Sequence, residues 1–421
     1  MSPPTPGFQV DERVTDPFRF AYDAPAIRCG RHTAAGLGDE LAARGLERAL
    51  VVCGRTVGST PAAIDPVREG LGDRLAGVFA ETTPEKRLAT AADCLDALDD
   101  HDADVLVALG GGSSLDVARL ASVLAARVAA RTNTASREEA LTEAGRELQE
   151  TGTIEVPAGG LVPAVAVPTT LAGADISQGA GVTAAPEGGF VDRPAGGGVS
   201  DPGLMPAAVV VDSALLETTP EEVLTASAMN GFDKGIETLY AQTATPVTDA
   251  TALRGLSLFW EGILAFGDGG RDPWVFDALT RGAVLVQYGV WRPEGTTLSL
   301  IHAFGHGLTR SYGVQQGAAH AVIAPPALEF LFERVDGRRA LLAGALGAGS
   351  ADDPAAAIVE AVAEVRDTLG LPSRLRDVDG PDRGEFPGVA EAVLADPFMT
   401  YAPGGLDATV EDIEGVLDSA W

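Results

Sequence analysis

The sequence predicts a doubly wound α/β domain followed by an all-helical domain. Three observations carry this expectation. Short β-branched runs alternate with helical periodicity through the first half, a glycine triplet and a threonine pair stand at the ends of two of those runs, and helical patterns dominate from there to the C-terminus. A chain of 421 residues exceeds one ordinary core and suits two domains, divided near residue 215 into 1–215 and 216–421.

The strand expectations come in chain order. "RALVVCG" (48–54), "ADVLVALGGG" (103–112), "LVPAVAVPTT" (161–170) and "AAVVVD" (207–212) are bounded by Gly, Pro or Thr, as buried parallel strands are. Between the first two, "PEKRLATAADCLDALDDH" has helical period, so the order is β-α-β and ligands belong at the carboxyl ends of the strands. Residues 131–156 are polar and partly helical in pattern, and read as an insertion ending by residue 160, before the third strand. "PEGGFVDRPAGGGVSDPG" (186–203) is glycine-rich and reads as a hairpin or loop near the site. Thr219-Pro220-Glu221-Glu222 opens a helix with Pro in its first turn. Pro325-Pro326 is expected to interrupt a helical run, and "AAAIVEAVAEVRDTLGL" (355–371) is an amphipathic helix with a core stripe.

Composition narrows the function classes. Hydrophobic residues make up 46% of the chain, yet no apolar run reaches the roughly eighteen residues that a membrane span needs. "MSPPTPGFQVDERV" has neither a basic start nor an apolar core, so a cytoplasmic location is expected. Cys29, Cys53 and Cys94 are odd in number and far apart, which predicts reduced thiols rather than disulfides or a cysteine metal site. Sixty acidic residues against thirty basic give a net charge of -30, opposing attraction to nucleic acid or anionic lipid. Lys86 and Lys234 are the only lysines, and with the acidic excess this composition points to adaptation to high salt.

Two motifs suggest a nucleotide. "VALGGGSSLDVARLAS" puts Gly110, Gly111, Gly112, Ser113, Ser114 and Asp116 between a strand and a helix, where freed backbone N–H groups at a helix N-terminus cradle a pyrophosphate. The alternative is a tight turn that needs glycine for geometry alone. Thr169 and Thr170 end a second strand with hydroxyls that can contact the same ligand, though a threonine pair there also suits an ordinary turn. Further on, "SAMNGFDKGIETLYA" (227–241) sets Asn230, Lys234 and Glu237 on one helical face. The simplest account is a surface Lys234–Glu237 pair. His302, His306 and His320 lie within nineteen residues, with Gln316 a turn before His320, and Arg310 and Arg292 are near enough in sequence to pair with a carboxylate.

Together, Gly110–Ser114 with Asp116, Pro168-Thr169-Thr170 and "RALVVCG", taken as the first strand, resemble the iron-containing alcohol dehydrogenase superfamily over roughly residues 25–335. "PTTLAGAD", "MNG..KGIETLYA" and the spacing His302-x3-His306-x13-His320 look most like its maleylacetate reductase branch. The resemblance implies the dehydroquinate synthase-like fold, a Rossmann-like domain plus a helical one with a cleft between them, and an NAD(P)-dependent oxidoreductase acting on a carbonyl, alcohol or conjugated oxo-acid. It implies a small-molecule substrate and a homodimer or larger oligomer.

In metal-using members a helix supplies Asp and, four residues on, His, while two more His come from a later segment. The matching positions here are Asn230, Lys234, His302 and Gln316, so one of four ligands survives. An amide binds metal weakly and an ammonium has no lone pair, so a metal-free site is expected, with Lys234 supplying the positive charge and Asn230 a hydrogen bond. The alternative is iron or zinc held by His302 with Asn230 or Asp233, Glu237 and His320 completing a shifted set. By the same resemblance His306 is a proton relay and His302 orients substrate or Lys234, while His320, Gln316 and Arg310 face substrate. Gly54-Arg55 at a strand end leaves room and a guanidinium for a 2′-phosphate, which favours NADP(H) over NAD(H). The rival readings are a dehydroquinate synthase-like lyase or cyclase, and a nucleotide-binding relative without catalysis.

Overall fold

The structure is a computed structural model that describes residues 17–131 and 137–421. The N-terminal stretch read above for targeting, and residues 132–136 of the polar insertion, lie outside the described residues. Two compact units are present. One holds Ala24–Leu224 with Asp272–Thr280; the other holds Thr225–Arg271 and Arg281–Trp421 with the described residues before Ala24.

The first unit is built on a parallel six-stranded sheet. Its strands are β1 (Ala26–Gly30), β2 (Ala49–Gly54), β3 (Leu75–Thr82), β4 (Val105–Gly110), β5 (Ala164–Pro168) and β8 (Ala208–Asp212), in the order β1-β8-β5-β4-β2-β3. From β2 the chain steps outward to β3; from β4 it works toward the opposite edge. The reversal between β2 and β4 is therefore the topological switch point, where open α/β sheets bind ligands. Two further strands, β6 (Gly179–Ala184) and β7 (Ala195–Ser200), form an antiparallel hairpin; the glycine-rich stretch 186–203 supplies its loop and second strand, while the first strand lies ahead of it. Helices α1 (Leu37–Ala42), α2 (Arg55–Ser59), α3 (Pro61–Leu71), α4 (Leu88–Asp100), α5 (Gly112–Ala129), α6 (Arg137–Thr151) and α7 (Ser213–Leu216) complete it.

The expectation differs from the structure at the edges. "RALVVCG" is the second strand, because Ala26–Gly30 pairs with β8 ahead of it, and β3 follows it as a further strand. Both unforeseen strands are edges with partly exposed residues, so they lack the continuous apolar run of β4 or β5, whose residues are all buried. Asp212, buried at the end of β8, accepts from the backbone N–H groups of His32, Ala34 and Ala214 and so ties the turn after β1 to the sheet.

The second unit is helical apart from two two-residue strands. After α8 (Glu221–Tyr240), whose first residues to Leu224 count in the first unit, come α9 (Pro246–Gly267), α10 (Pro273–Gln287), divided so that Pro273–Thr280 count in the first unit, β9 (Trp291–Arg292), β10 (Gly295–Thr296), α11 (Leu300–Tyr312), α12 (Gln316–Arg334), α13 (Arg339–Ala345), α14 (Pro354–Thr368), α15 (Phe386–Leu394) and α16 (Val410–Ser419). α8 starts just after Pro220, whose carbonyl accepts from Val223 and Leu224 N–H. Pro325 and Pro326 do not interrupt α12, which runs through them. Two prolines there remove two ladder donors; Pro325 is buried with its neighbours Val322, Ile323, Ala324, Ala327 and Leu328, so the helix continues across the gap within a packed core.

Candidate active site

In the first unit, β4 ends at Gly110, where φ is 135°, a conformation that side-chain-bearing residues rarely adopt. The turn leads into α5, whose N-cap is Gly111 and whose first turn has no capping side chain. Its N–H groups are the orphan donors that an anion satisfies. Gly110, Gly111, Gly112, Thr170, Ala174 and Asp175 line a small concavity over the strand ends. Thr169 is buried; its N–H donates to Gly110 O at 3.0 Å and its carbonyl accepts from Thr219 Oγ1 at 2.6 Å, so it joins the ends of β4 and β5. Ser114 Oγ lies 3.0 Å from Thr82 Oγ1. The fully buried Arg119 guanidinium donates to the carbonyls of Gly179, Leu204, Ala174 and Ser177, fixing the segment that follows Thr170.

The nucleotide candidates thus separate. Gly110, Gly111, Gly112 and Thr170 share the concavity, while Thr169 and Ser114 brace it. Asp116 pairs with Lys86 Nζ at 2.5 Å. Gly54 packs against Thr82 O, and the largely exposed Arg55 forms an ion pair with Glu81. Asp175 entered the sequence reading only as the last letter of a motif.

In the second unit, Lys234 lies on α8 and is 7% exposed. Its Nζ donates to Gln287 Oε1 on α10 at 3.0 Å. The approach depends on the next residue, Gly235, where a Cβ would meet Leu256 at 2.7 Å and Val286 at 2.9 Å. Glu237 is wholly buried and is no surface partner of Lys234. Its carboxylate accepts from the backbone N–H groups of Ser299 and His302 at the start of α11, from Tyr240 Oη at 3.3 Å, and from His302 Nδ1. Burial pushes Glu237 up to about 7, against backbone hydrogen bonds from His302, Ser299 and Ile301 that favour its anion.

His302 donates Nδ1–H to Glu237, which leaves Nε2 an acceptor without a partner among the described residues. Burial, then the neighbouring His320 and Lys234, hold His302 well below the ordinary imidazole range. His320 is brought down to about 4, again chiefly by burial, and its ring lies 4.4 Å from that of His302. Its Nδ1 approaches Asp233 Oδ2 at 3.3 Å without hydrogen-bond alignment, and Asp233 is raised well above the carboxylate range by burial and by Glu237. Asn230 Oδ1 is also buried and unpartnered among the described residues. Burial thus favours neutral imidazoles at His302 and His320 and the protonated carboxyl of Asp233.

His306, Arg310 and Gln316 are more exposed. His306 Nδ1 lies 2.8 Å from Asp396 Oδ2 and 3.0 Å from Arg310, while its ring stacks on Phe398 at 4.8 Å. A single nitrogen serves one of these partners at a time: protonated it donates to Asp396, deprotonated it accepts from Arg310. Asp396 is held below its ordinary value because bonding to His306, a backbone N–H and Arg310 outweigh its burial. Gln316 opens α12, partly buried and one turn from His320. Arg292 is buried and donates to the carbonyls of Gly289 and Thr243, so its guanidinium is committed to the backbone. Gln287, Asp396 and Phe398 had no signal in the sequence, since each meets its partner from 53 or more residues away.

The positions that correspond to metal ligands do not fit a metal. Asn230, Lys234, His302 and Gln316 include one imidazole and an ammonium that is already donating a hydrogen bond. The shifted set forms two pairs, Asp233 with His320 and Glu237 with His302. Among the described residues no three His, Cys, Asp or Glu groups converge to hold an ion.

Comparison with known proteins agrees with the motifs. Residues 24–213 match the family described as iron-containing alcohol dehydrogenase, and residues 224–421 match the C-terminal part of the Fe-containing alcohol dehydrogenase family. Maleylacetate reductase 1 of Cupriavidus pinatubonensis is 26% identical over 400 residues, covering 93% of this chain and 94% of its own. Lactaldehyde reductase of Escherichia coli is 23% identical, covering 93% and 97%. The crystal structure of maleylacetate reductase from Agrobacterium tumefaciens superposes with a TM-score of 0.74 at 22% identity, covering 96% of this chain and 98% of that one.

Proposed function

Because the chain belongs to the iron-containing alcohol dehydrogenase family of oxidoreductases, we propose that it is an NAD(P)-dependent reductase in which the Lys234 ammonium takes the place of the metal. One observation carries the reading: a buried lysine, fixed by Gln287, stands at a position where the resemblance expects a ligand. When bound, the nicotinamide supplies hydride. Gly110, Gly111, Gly112, Ser113 and Thr170 would hold the dinucleotide, with Asp116, Thr169 and Ser114 behind them. As the substrate carbonyl oxygen gains negative charge, Lys234 donates a charge-assisted hydrogen bond and then its proton, leaving an alcohol and a neutral amine. Asn230 offers a second polar group beside it, and Glu237 fixes the His302 tautomer so that Nε2 accepts from substrate or from Lys234. His306 passes protons between Asp396, Arg310 and the site.

The substrate class is a carbonyl compound or conjugated oxo-acid. Names among the relatives support this, and Arg310, largely exposed and one turn from His306, suits a carboxylate. For the cofactor, Arg55 would exchange Glu81 for the 2′-phosphate of NADP(H); an exposed ion pair of this kind costs little to open. A kcat/KM that clearly favours NADH would refute that preference. Assembly as a homodimer or larger is part of the same proposal and is read by light scattering after size-exclusion chromatography.

The decisive test pairs elemental analysis of purified protein with oxidation of NADPH and NADH by aldehydes and oxo-acids in a strong chelator. Turnover at unchanged rate with substoichiometric metal is the expected result. One equivalent of iron or zinc, with activity lost to the chelator, would overturn the ammonium and return the shifted set Asp233, Glu237, His302 and His320. Nucleotide binding without turnover across the panel would leave a non-catalytic relative.

A further inference from the structure

Of thirty basic residues two are lysines, and the second is as particular in its placement as the first. Lys86 lies between β3 and α4 with φ at 53°, one of four described non-glycine residues in the left-handed region. The loop is fixed in that shape: Thr183 on β6 donates its N–H to Lys86 O at 3.1 Å and its Oγ1 to Glu85 O at 2.5 Å. From there the side chain reaches α5, where Nζ meets the buried Asp116 carboxylate at 2.5 Å. The ammonium also lies over Gly181, where a Cβ would come within 3.4 Å of Nζ. Gly181 pairs with Gly198, and the register places Gly197 opposite Val182, so the hairpin offers little side-chain bulk around the cation.

We propose that Lys86 is a dinucleotide contact: its ammonium, aimed by Asp116, hydrogen-bonds the oxygen-rich ribose–pyrophosphate portion that NADH and NADPH share. This rests on the nucleotide reading above and adds a residue to it. Three features carry it. Asp116 is four residues into the helix that the glycine turn begins, so the cation is held within about two turns of the orphan N–H groups. A lysine with about a third of its side chain exposed retains N–H donors beyond the one engaged by Asp116. A backbone in the left-handed region is unfavourable for a side-chain-bearing residue and persists where surrounding contacts impose it. The division of labour follows: Lys86 reads what the two cofactors have in common, and Arg55 reads the 2′-phosphate.

Calorimetric titration of the full-length protein with NADH, NADPH and ADP-ribose provides the test. In Lys86→Gly, which suits φ near 53° and so preserves the loop, all three Kd values should rise about 10- to 100-fold, the loss expected for one charge-assisted contact. The thermal midpoint without ligand should stay near the wild-type value, and Lys86→Arg should recover most of the affinity. Wild-type affinity in Lys86→Gly would overturn the inference, as would a loss confined to NADPH. A lowered midpoint with unchanged affinity would make Lys86–Asp116 a purely structural pair. Wild-type protein that binds none of the three would overturn the underlying nucleotide reading instead.

Discussion

Replacing Lys234 by methionine isolates what the ammonium does. Methionine keeps an unbranched, flexible stem in the same buried space and removes only the charge and its donors. In a desolvated site, one donor aimed at a developing oxyanion is worth about 3–4 kcal/mol, so kcat/KM for carbonyl reduction should fall about 10²- to 10³-fold. The fold should tolerate the change. Gln287 Oε1 loses its donor, a cost of about 1–3 kcal/mol, but a buried charge is removed at the same time and the two effects oppose each other. A thermal midpoint within about 5 °C of wild type is expected, with unchanged affinity for NADPH because the glycine turn is untouched. Stopped-flow measurement of NADPH oxidation, scanning calorimetry and nucleotide titration read the three quantities. A Lys234→Met protein retaining a tenth or more of wild-type kcat/KM would refute the assignment.

Four further outcomes follow from packing, burial and charge. Gly305→Ala on α11 would place a Cβ 2.5 Å from His320 Nε2, so a loss of about 1–3 kcal/mol in denaturant unfolding is expected; an unchanged midpoint would mean that α11 and α12 can part freely. Burial pushes Cys53 up to about 11 and Cys94 up to about 12, so at pH 8 a thiol reagent should modify Cys29 quickly and the other two only after unfolding. Because these folded-state values are raised, the folded protein holds more protons above pH 9 and the thiol contribution to stability, about 3 kcal/mol for Cys53, fades as pH rises through 11; a Cys53→Ala, Cys94→Ala protein should show a shallower alkaline decline in chemical denaturation. With a net charge of -30, self-repulsion should make the thermal midpoint climb between 0.1 and 2 M KCl, and a flat response would count against a salt-adapted surface.

The central strands were legible because parallel strands buried on both faces must be apolar throughout, as in β4 and β5. The edge strands were not. β1 reads "AIRCG" and β3 "LAGVFAET", sequences with polar or small residues that solvent permits on an outer strand. The same limit applied to α12: a proline pair is a local signal for a break, and the packing that overrides it is tertiary. In the second unit, the spacing of Asn230, Lys234 and Glu237 showed that one face was polar but not what it met. Gln287 and Asp396 come from other helices or turns, and Glu237 serves the start of α11 rather than the lysine one turn away. Motif order along the chain carried the family; contacts between distant segments were beyond its reach.

The scarcity of lysine has a practical consequence. Reductive methylation with carbon-13 formaldehyde would tag two side-chain amines, plus the α-amine if it is free, giving one resonance beside the glycine turn and one on α8. Lys86, the more open, should label first, and its peak would then move with added nucleotide while Lys234 responds to carbonyl ligands. With two lysines that differ in exposure, the reporters are told apart by accessibility before any spectrum is recorded.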